Sequence, residues 1–167
     1  MKRLLFELKL AYSTEIGAMR AYRGHAAATR EPDVRADIEQ IGADELHHRQ
    51  QVGALLERFG ARPWWWLEWT FRAIGRVIGL GCHVWGGWAS AFGAAQFEFG
   101  GAGDYRRAAR AARKLGDEPL ARQLDLYQSQ EEQHRRYFLA LASWYWRRRQ
   151  GPAPRLTQVA SVPGEQA

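Results

Sequence analysis

Two short motifs place a carboxylate three residues before an imidazole: Glu45 precedes His48, and Glu131 precedes His134. On a helix, residues three apart lie on the same face, so each pair points in one direction. Carboxylate oxygens with a few imidazole nitrogens suit iron or manganese better than copper(I) or thiolate-bound zinc. The repeated spacing therefore predicts a metal site built from two helices.

Each motif follows an isolated glutamate on an earlier apolar segment, Glu15 before the first motif and Glu98 before the second. Glu15 lies in line with apolar residues spaced three or four apart, where a solvated carboxylate is unusual. Four carboxylates and two imidazoles form the ligand set of a dinuclear site inside a four-helix bundle. We predict that six residues are both the metal ligands and the catalytic set: Glu15, Glu45, His48, Glu98, Glu131 and His134.

Analogy with such bundles makes Glu15 and Glu98 terminal ligands, makes Glu45 and Glu131 bridging ligands, and gives each metal one histidine. Four carboxylates balance two divalent ions, so the buried site approaches neutrality. Without metal, the same charges in one core would be very costly or would take up protons.

Other residues near these motifs have simpler interpretations. His47 lacks the three-residue spacing and is interpreted as a surface or supporting residue, whereas His25 and Cys82, the single cysteine, are interpreted as structural. Tyr22 and Tyr105 each lie seven residues after an isolated glutamate, which is a two-turn offset on a helix. Core packing and a hydrogen bond at the metal site both remain open for these tyrosines.

Apolar residues make up 46% of the chain and charged residues 25%, which is typical of one globular domain. Their period predicts four long helices, at about residues 2–30, 33–59, 88–115 and 118–149. The expected fold is all-α, a ferritin-like four-helix bundle with a long helical crossover at 64–88. Glycines follow Glu98 and predict a distortion or a close helix approach there. We place the bundle at 1–149 and a disordered tail at 150–167.

The net charge is +6, and residues 64–88 hold six of the eight tryptophans together with arginines. This mixture favours contact with a membrane surface, with ordinary core as the alternative. Val77–Phe97 lacks charge but is interrupted by polar residues and glycines, so we do not predict a transmembrane helix. The N-terminus is too charged for a secretory signal. Arginines spread along helices, without a reader motif, disfavour nucleic-acid binding.

Four stretches of the chain resemble the demethoxyubiquinone hydroxylases, the ferritin-like di-iron monooxygenases of ubiquinone synthesis. They are EIGAMRAYRG from Glu15, ELHH from Glu45, ARPWWW from Ala61 and EEQH from Glu131. The resemblance covers about Ala11 to Ala142 and assigns the family's ligands to the six residues already selected by spacing. One stretch departs from the family: FEFGGAGDY, ending at Tyr105, stands where the family has a sequence like VEESIAHHY.

The resemblance implies two iron ions, with manganese as an alternative, and an external reductant whose identity stays open. It implies that the reduced centre activates dioxygen and hydroxylates the ring of a lipophilic quinone. It also implies a cytoplasmic protein, peripheral on the inner face of the cell membrane. The oligomeric state is left open, with a homodimer among the possibilities.

Two other functions remain open from the sequence. One is a ferritin-like or rubrerythrin-like di-iron oxidase or peroxidase. The sequence has no CxxC motif of the rubredoxin type, which counts against a standard rubrerythrin. The other is a non-enzymatic bundle that binds lipid, against which the full ligand set counts.

Overall fold

The computed structural model describes residues 1–159, and these residues form helices and no strands. The helices are α1 (Lys2–Ala28), α2 (Pro32–Arg58), α3 (Trp65–Arg113), α4 (Glu118–Trp146) and the short α5 (Leu156–Val159). The all-α, four-helix bundle prediction is confirmed. Helix α1 packs against α2 and α3, and α3 packs against α4.

The helix ends follow local chemistry. Pro32 lies in the first turn of α2, where its missing N–H costs nothing. Asp117 caps α4 by accepting a hydrogen bond from the backbone N–H of Leu120 at 3.0 Å. Gly60 and Gly116 have positive φ angles of 63° and 77° in the turns after α2 and α3. These turns set the antiparallel course of the helices.

The predicted crossover and the predicted third helix form one long helix, α3, which is interrupted at a single residue. Gly86 has a φ of 78° and a ψ of 164°, outside the helical region. The segment before Gly86 is the crossover and lies along α1. The segment after it enters the bundle, so the break lies two residues before the boundary predicted at Trp88. Glycines near residue 100 do not interrupt α3.

The apolar core consists of two clusters, one towards each end of the bundle. One includes Ile38, Ile41 and Phe138, and the other includes Leu8, Leu56 and Leu124, all of them fully buried. In each of the helices α1 to α4, the predicted ligands lie between residues of one cluster and residues of the other. The polar site is therefore held at mid-height by packed apolar layers on both sides.

The prediction of a disordered tail is wrong for residues 150–159. Leu156 is buried, its backbone N–H donates to Asp37 Oδ2 at 3.1 Å, and the Arg155 guanidinium pairs with the same carboxylate at 3.1 Å. One buried leucine and one ion pair suffice to dock a segment that lacks helical periodicity. Helix α4 also ends at Trp146 rather than at Arg149. The rest of the predicted tail, 160–167, lies outside the described residues.

Candidate metal centre

The structure brings all six predicted ligands together in the centre of the bundle. Each of these six residues is at most 3% exposed. Their donor atoms fall into two groups, and the atoms of each group lie within 4.8 Å of one another. Glu15 and His48 belong to the first group, Glu98 and His134 to the second, and Glu45 and Glu131 to both. Ligands that bridge two metal ions must belong to both groups, as Glu45 and Glu131 do.

Both imidazoles turn the same ring nitrogen towards the carboxylates. His48 Nδ1 lies 3.1 Å from Glu131 Oε1 and 3.7 Å from Glu45 Oε2. His134 Nδ1 lies 3.1 Å from Glu45 Oε1 and 3.5 Å from Glu98 Oε2. Each Nδ1 therefore faces the space that a metal ion would share with two carboxylates.

The outer ring nitrogens contact two residues that the sequence analysis missed. His134 Nε2 lies 3.2 Å from Asp44 Oδ2, and His48 Nε2 lies 2.8 Å from Gln130 Oε1. Asp44 and Gln130 each come directly before the glutamate of the opposite motif, so the two motifs orient each other's histidine. Metal-binding histidines nearly always use their second nitrogen in this way, but these contacts cross from one motif to the other, so no spacing within a helix marked Asp44 or Gln130.

The two tyrosines left open by the sequence also contact the site. Tyr22 on α1 donates a hydrogen bond to Glu98 Oε1, and Tyr105 on α3 donates to Glu15 Oε1 at 2.5 Å. Each tyrosine therefore holds the isolated glutamate of the other helix rather than its own. This exchange ties α1 to α3 across the centre and orients both terminal carboxylates.

Burial determines the charge state of the carboxylates. It raises the pKa values of Glu15, Glu98 and Glu131, and the charge on Glu45 raises them further. Burial also raises the pKa of Glu45, but its contacts with Glu15, His134 and His48 outweigh this effect, so that this pKa falls below its usual range. One ionised carboxylate thus lies among three that favour protons.

The two histidines respond in the opposite sense to burial. Burial lowers the pKa of His48, but the adjacent Glu45 carboxylate and the charge of Glu15 outweigh this effect and raise that pKa to about 9. The pKa of His134 is likewise raised, against the effect of burial, mainly by hydrogen bonds to Asp44 and Glu45. The raised pKa values favour protonated imidazoles, whose positive charge offsets that of the carboxylates.

Three buried atoms of the cluster lack a hydrogen-bond partner: His48 Nδ1, Glu98 Oε2 and Glu131 Oε1. Leaving such an atom unsatisfied costs about 1–3 kcal/mol, more when it is charged. All three belong to predicted ligands and point among the other donor atoms. This donor set of oxygens and two imidazole nitrogens fits two divalent iron or manganese ions.

A cavity of about 230 Å³ leads from the surface to the cluster, between α1 and α3. Four of the predicted ligands line its inner end, and Ala18, Phe71 and Phe97 line its apolar walls. Gly101 also lines it, and a Cβ at this position would overlap Glu131 Oε2. The expected close approach after Glu98 is therefore a contact between a bare backbone and a ligand side chain.

Asp104 lines the same cavity, and sequence reasoning did not select it. Burial raises its pKa to about 7, although the charge on Arg107, with which it forms an ion pair, lowers it. Arg107 also contacts the buried carboxylate of Glu7 at 3.1 Å. Asp104 lines the cavity but is not one of the six predicted ligands, and it has no metal-ligand spacing that would mark it in the sequence.

The fold and the cluster define a class, the helical bundles with a buried set of carboxylates and histidines that could hold metal ions. Within that class, the chain belongs to the family of the ubiquinone biosynthesis protein COQ7, whose model matches residues 6–98. This confirms the family resemblance. The matched segment contains Glu15, Glu45, His48 and Glu98, whereas the second motif lies beyond it.

Individual relatives match over a shorter part. The chain is 32% identical over 77 residues to a 3-demethoxyubiquinol 3-hydroxylase of Francisella tularensis subsp. tularensis (strain WY96-3418), covering 43% of this chain and 36% of the relative. The enzyme of that name from Francisella tularensis subsp. novicida (strain U112) is 29% identical over 80 residues, or 44% of this chain and 38% of the relative. The chain thus covers little more than a third of these relatives' length. No solved structure matches.

Proposed function

We propose that this chain is a di-iron monooxygenase that uses dioxygen to hydroxylate the ring of a lipophilic quinone. The observation that carries the proposal is the buried set of four glutamates and two histidines at the inner end of an apolar cavity. The names of the relatives, 3-demethoxyubiquinol 3-hydroxylases, support a quinol or quinone as the substrate.

The six clustered side chains would hold two iron ions, and bound iron would supply the redox chemistry that activates dioxygen. Asp44 and Gln130 orient the imidazoles, while Tyr22 and Tyr105 orient the terminal carboxylates. These contacts keep the donor atoms in place when substrate enters. An external reductant is part of the proposal, because inserting one oxygen atom from dioxygen consumes two further electrons.

The cavity walls determine which substrates reach the centre. Phe71 and Phe97 line the cavity and supply aromatic, apolar surface that a flat ring can contact. Gly100 and Gly101 leave room on the α3 side, where a larger side chain would narrow the passage. The arrangement suits a planar, apolar molecule better than a charged one.

The crossover segment supports a peripheral association with the inner face of the cell membrane. Its exposed side chains include large apolar residues with exposed fractions of 74% for Trp65, 69% for Trp69, 71% for Leu80 and 81% for Val84. A single soluble domain rarely exposes so many large apolar side chains together. Within residues 1–159, no helix combines the length and the apolarity needed to cross a bilayer.

The test supplies the iron-loaded protein with a reductant, isotopically labelled dioxygen and a demethoxyquinone, and follows the quinone by mass. We expect one labelled oxygen in the product and its loss in Glu131→Gln. The matched control is Glu132→Gln, which changes the neighbouring, half-buried carboxylate paired with Arg135. Consumption of dioxygen with an unmodified quinone would instead support the oxidase, and no consumption would support a lipid-binding bundle.

A further inference from the structure

Four arginines belong to the segments of α1 and of the crossover part of α3 that contact each other, and we call them the basic seam: Arg20, Arg23, Arg72 and Arg76. The first two are three residues apart on α1, and the other two are four residues apart on α3. Each pair therefore projects from one face of its helix. None of the four contributes to the metal centre.

Glycines hold the two helices in backbone contact at this place. A Cβ at Gly75 would overlap the carbonyl oxygen of Gly17, and a Cβ at Gly24 would overlap the backbone of Gly79. A Cβ at Gly79 would also lie 3.0 Å from the carbonyl oxygen of Arg20. The arginines flank these glycines in the sequence, so the backbone contact holds the two arginine pairs on adjoining helices.

The basic seam has too few acidic partners for its charge. Only Arg72 has one, Glu68 at 3.5 Å, and Glu68 also accepts two hydrogen bonds from Arg49. In the described part of the chain, no carboxylate lies within 4.0 Å of the other three arginine side chains. The Nε of Arg20 is enclosed and has no hydrogen-bond partner. Carboxylates of the described residues therefore leave most of the seam's positive charge unbalanced.

Like charges act on one another within the seam. Burial lowers the pKa of the Arg20 guanidinium, and the charges of Arg76, Arg72 and Arg23 lower it further. Such repulsion is relieved when an anion binds between the guanidinium groups. Their planar forks of N–H donors match the oxygens of a phosphate group especially well.

The surroundings of the seam indicate where that phosphate comes from. Trp69 lies three residues before Arg72, Leu80 lies four residues after Arg76, and both apolar side chains are about 70% exposed. Basic side chains beside exposed tryptophan and aliphatic residues are typical of helices that lie at a lipid interface. An acidic protein partner would not require this apolar border.

We infer that the basic seam binds the phosphate group of an anionic lipid at the water–lipid boundary. In that position the lipid phosphate would hold the crossover of α3 against the membrane surface. The inference rests on the membrane association within the proposed function, and it is independent of the metal centre and of the hydroxylation step.

The experiment measures binding of the full, metal-loaded protein to vesicles of phosphatidylcholine, with and without phosphatidylglycerol. The test variant is Arg23→Gln with Arg76→Gln, since both residues are exposed and lack acidic partners. The matched control is Arg106→Gln with Arg110→Gln, which removes the same charge from the far part of α3. We expect binding that depends on phosphatidylglycerol and falls about 25-fold in the test variant, with little change in the control.

Several results would overturn the inference. Equal binding to both kinds of vesicle, or an equal loss in both double variants, would show that the seam is not a specific site. Inorganic phosphate that binds the seam when vesicles do not would assign it to a free phosphate. Tighter binding of polyglutamate than of anionic vesicles would assign it to an acidic protein.

The same variants separate this inference from the proposed function. Iron content and hydroxylation of a detergent-dissolved quinone should be unchanged in the seam variant, and melting curves check that it folds. A chain without hydroxylase activity that still shows seam-dependent vesicle binding would refute only the proposed function.

Discussion

The carboxylate of Glu131 depends on the absence of a side chain at Gly101. Because a Cβ at this position would overlap Glu131 Oε2, Gly101→Ala should displace a predicted ligand that belongs to both groups of donor atoms. We expect metal affinity to fall by about 10–100-fold, the range found when support for a ligand is lost. Competitive titration with a chelator measures the change. Gly100→Ala is the matched control, since its Cβ would have no atom within 4 Å, and equal losses in both variants would contradict this explanation.

Protonation of the centre makes the stability of the metal-free protein depend on pH. The folded state raises the pKa of His48 from 6.5 to about 9, so its stabilisation is complete below pH 6.5 and is lost as the pH rises through about 9. The raised pKa values of Glu15, Glu98 and Glu131 act in the same direction. We therefore expect the melting temperature of the metal-free protein to fall between pH 6.5 and 9.

Calorimetry at a series of pH values checks this expectation, with and without iron. Bound divalent ions should reduce the fall, because they replace the protons that the carboxylates otherwise need. The variant His48→Gln should also reduce it. A melting temperature that stays constant or rises over this range in the metal-free protein would contradict the assigned pKa directions.

At the scale of single residues, the sequence predicts the metal ligands better than it predicts the residues that orient them. Glu45 and His48 could be selected because helical spacing alone places them on one face. Asp44 and Gln130 could not, because their contacts cross from one motif to the other and depend on how α2 and α4 are placed. Tyr22 could be selected only as a candidate, since its partner, Glu98, lies on another helix.

At the scale of elements, the close crossing of α1 and α3 depends on glycines. Gly75→Ala would place a Cβ against the Gly17 carbonyl, and we expect it to lower the free energy of unfolding by about 1–3 kcal/mol. Gly93 lies in the same helix with open space around it, so Gly93→Ala should raise that free energy by about 0.5–1 kcal/mol. Urea denaturation measures both. Destabilisation of similar size in the two variants would mean that the crossing is not the cause.

The helices themselves could be predicted because apolar period, proline starts and glycine ends agree along the chain. The break at Gly86 could not, since many glycines lie nearby and only tertiary packing selects the one that adopts a positive φ. The docking of 150–159 was missed because Leu156 and Arg155 are too few to create a pattern. Their partner Asp37 lies more than a hundred residues earlier.

At the scale of the whole molecule, the metal centre and the apolar crossover lie in one chain and meet through α1 and α3. Both helices line the cavity that leads to the centre, and α3 also presents the exposed tryptophans. Phe71 of the crossover lines this cavity, so the segment proposed to contact the membrane also forms part of the cavity wall. This link between surface and site follows from the fold and could not be predicted from the motifs alone.

The central claim is that the six buried side chains hold two metal ions. Its most direct test is the iron content per chain after anaerobic reconstitution, measured for the wild type, for Glu45→Ala and for the control Glu39→Ala on the exposed face of α2. We predict about two irons per chain in the wild type and the control, as the two donor groups require. Glu45→Ala removes a ligand common to both groups and should lose most of this iron. Less than one iron in the wild type, or two irons in Glu45→Ala, would contradict the account.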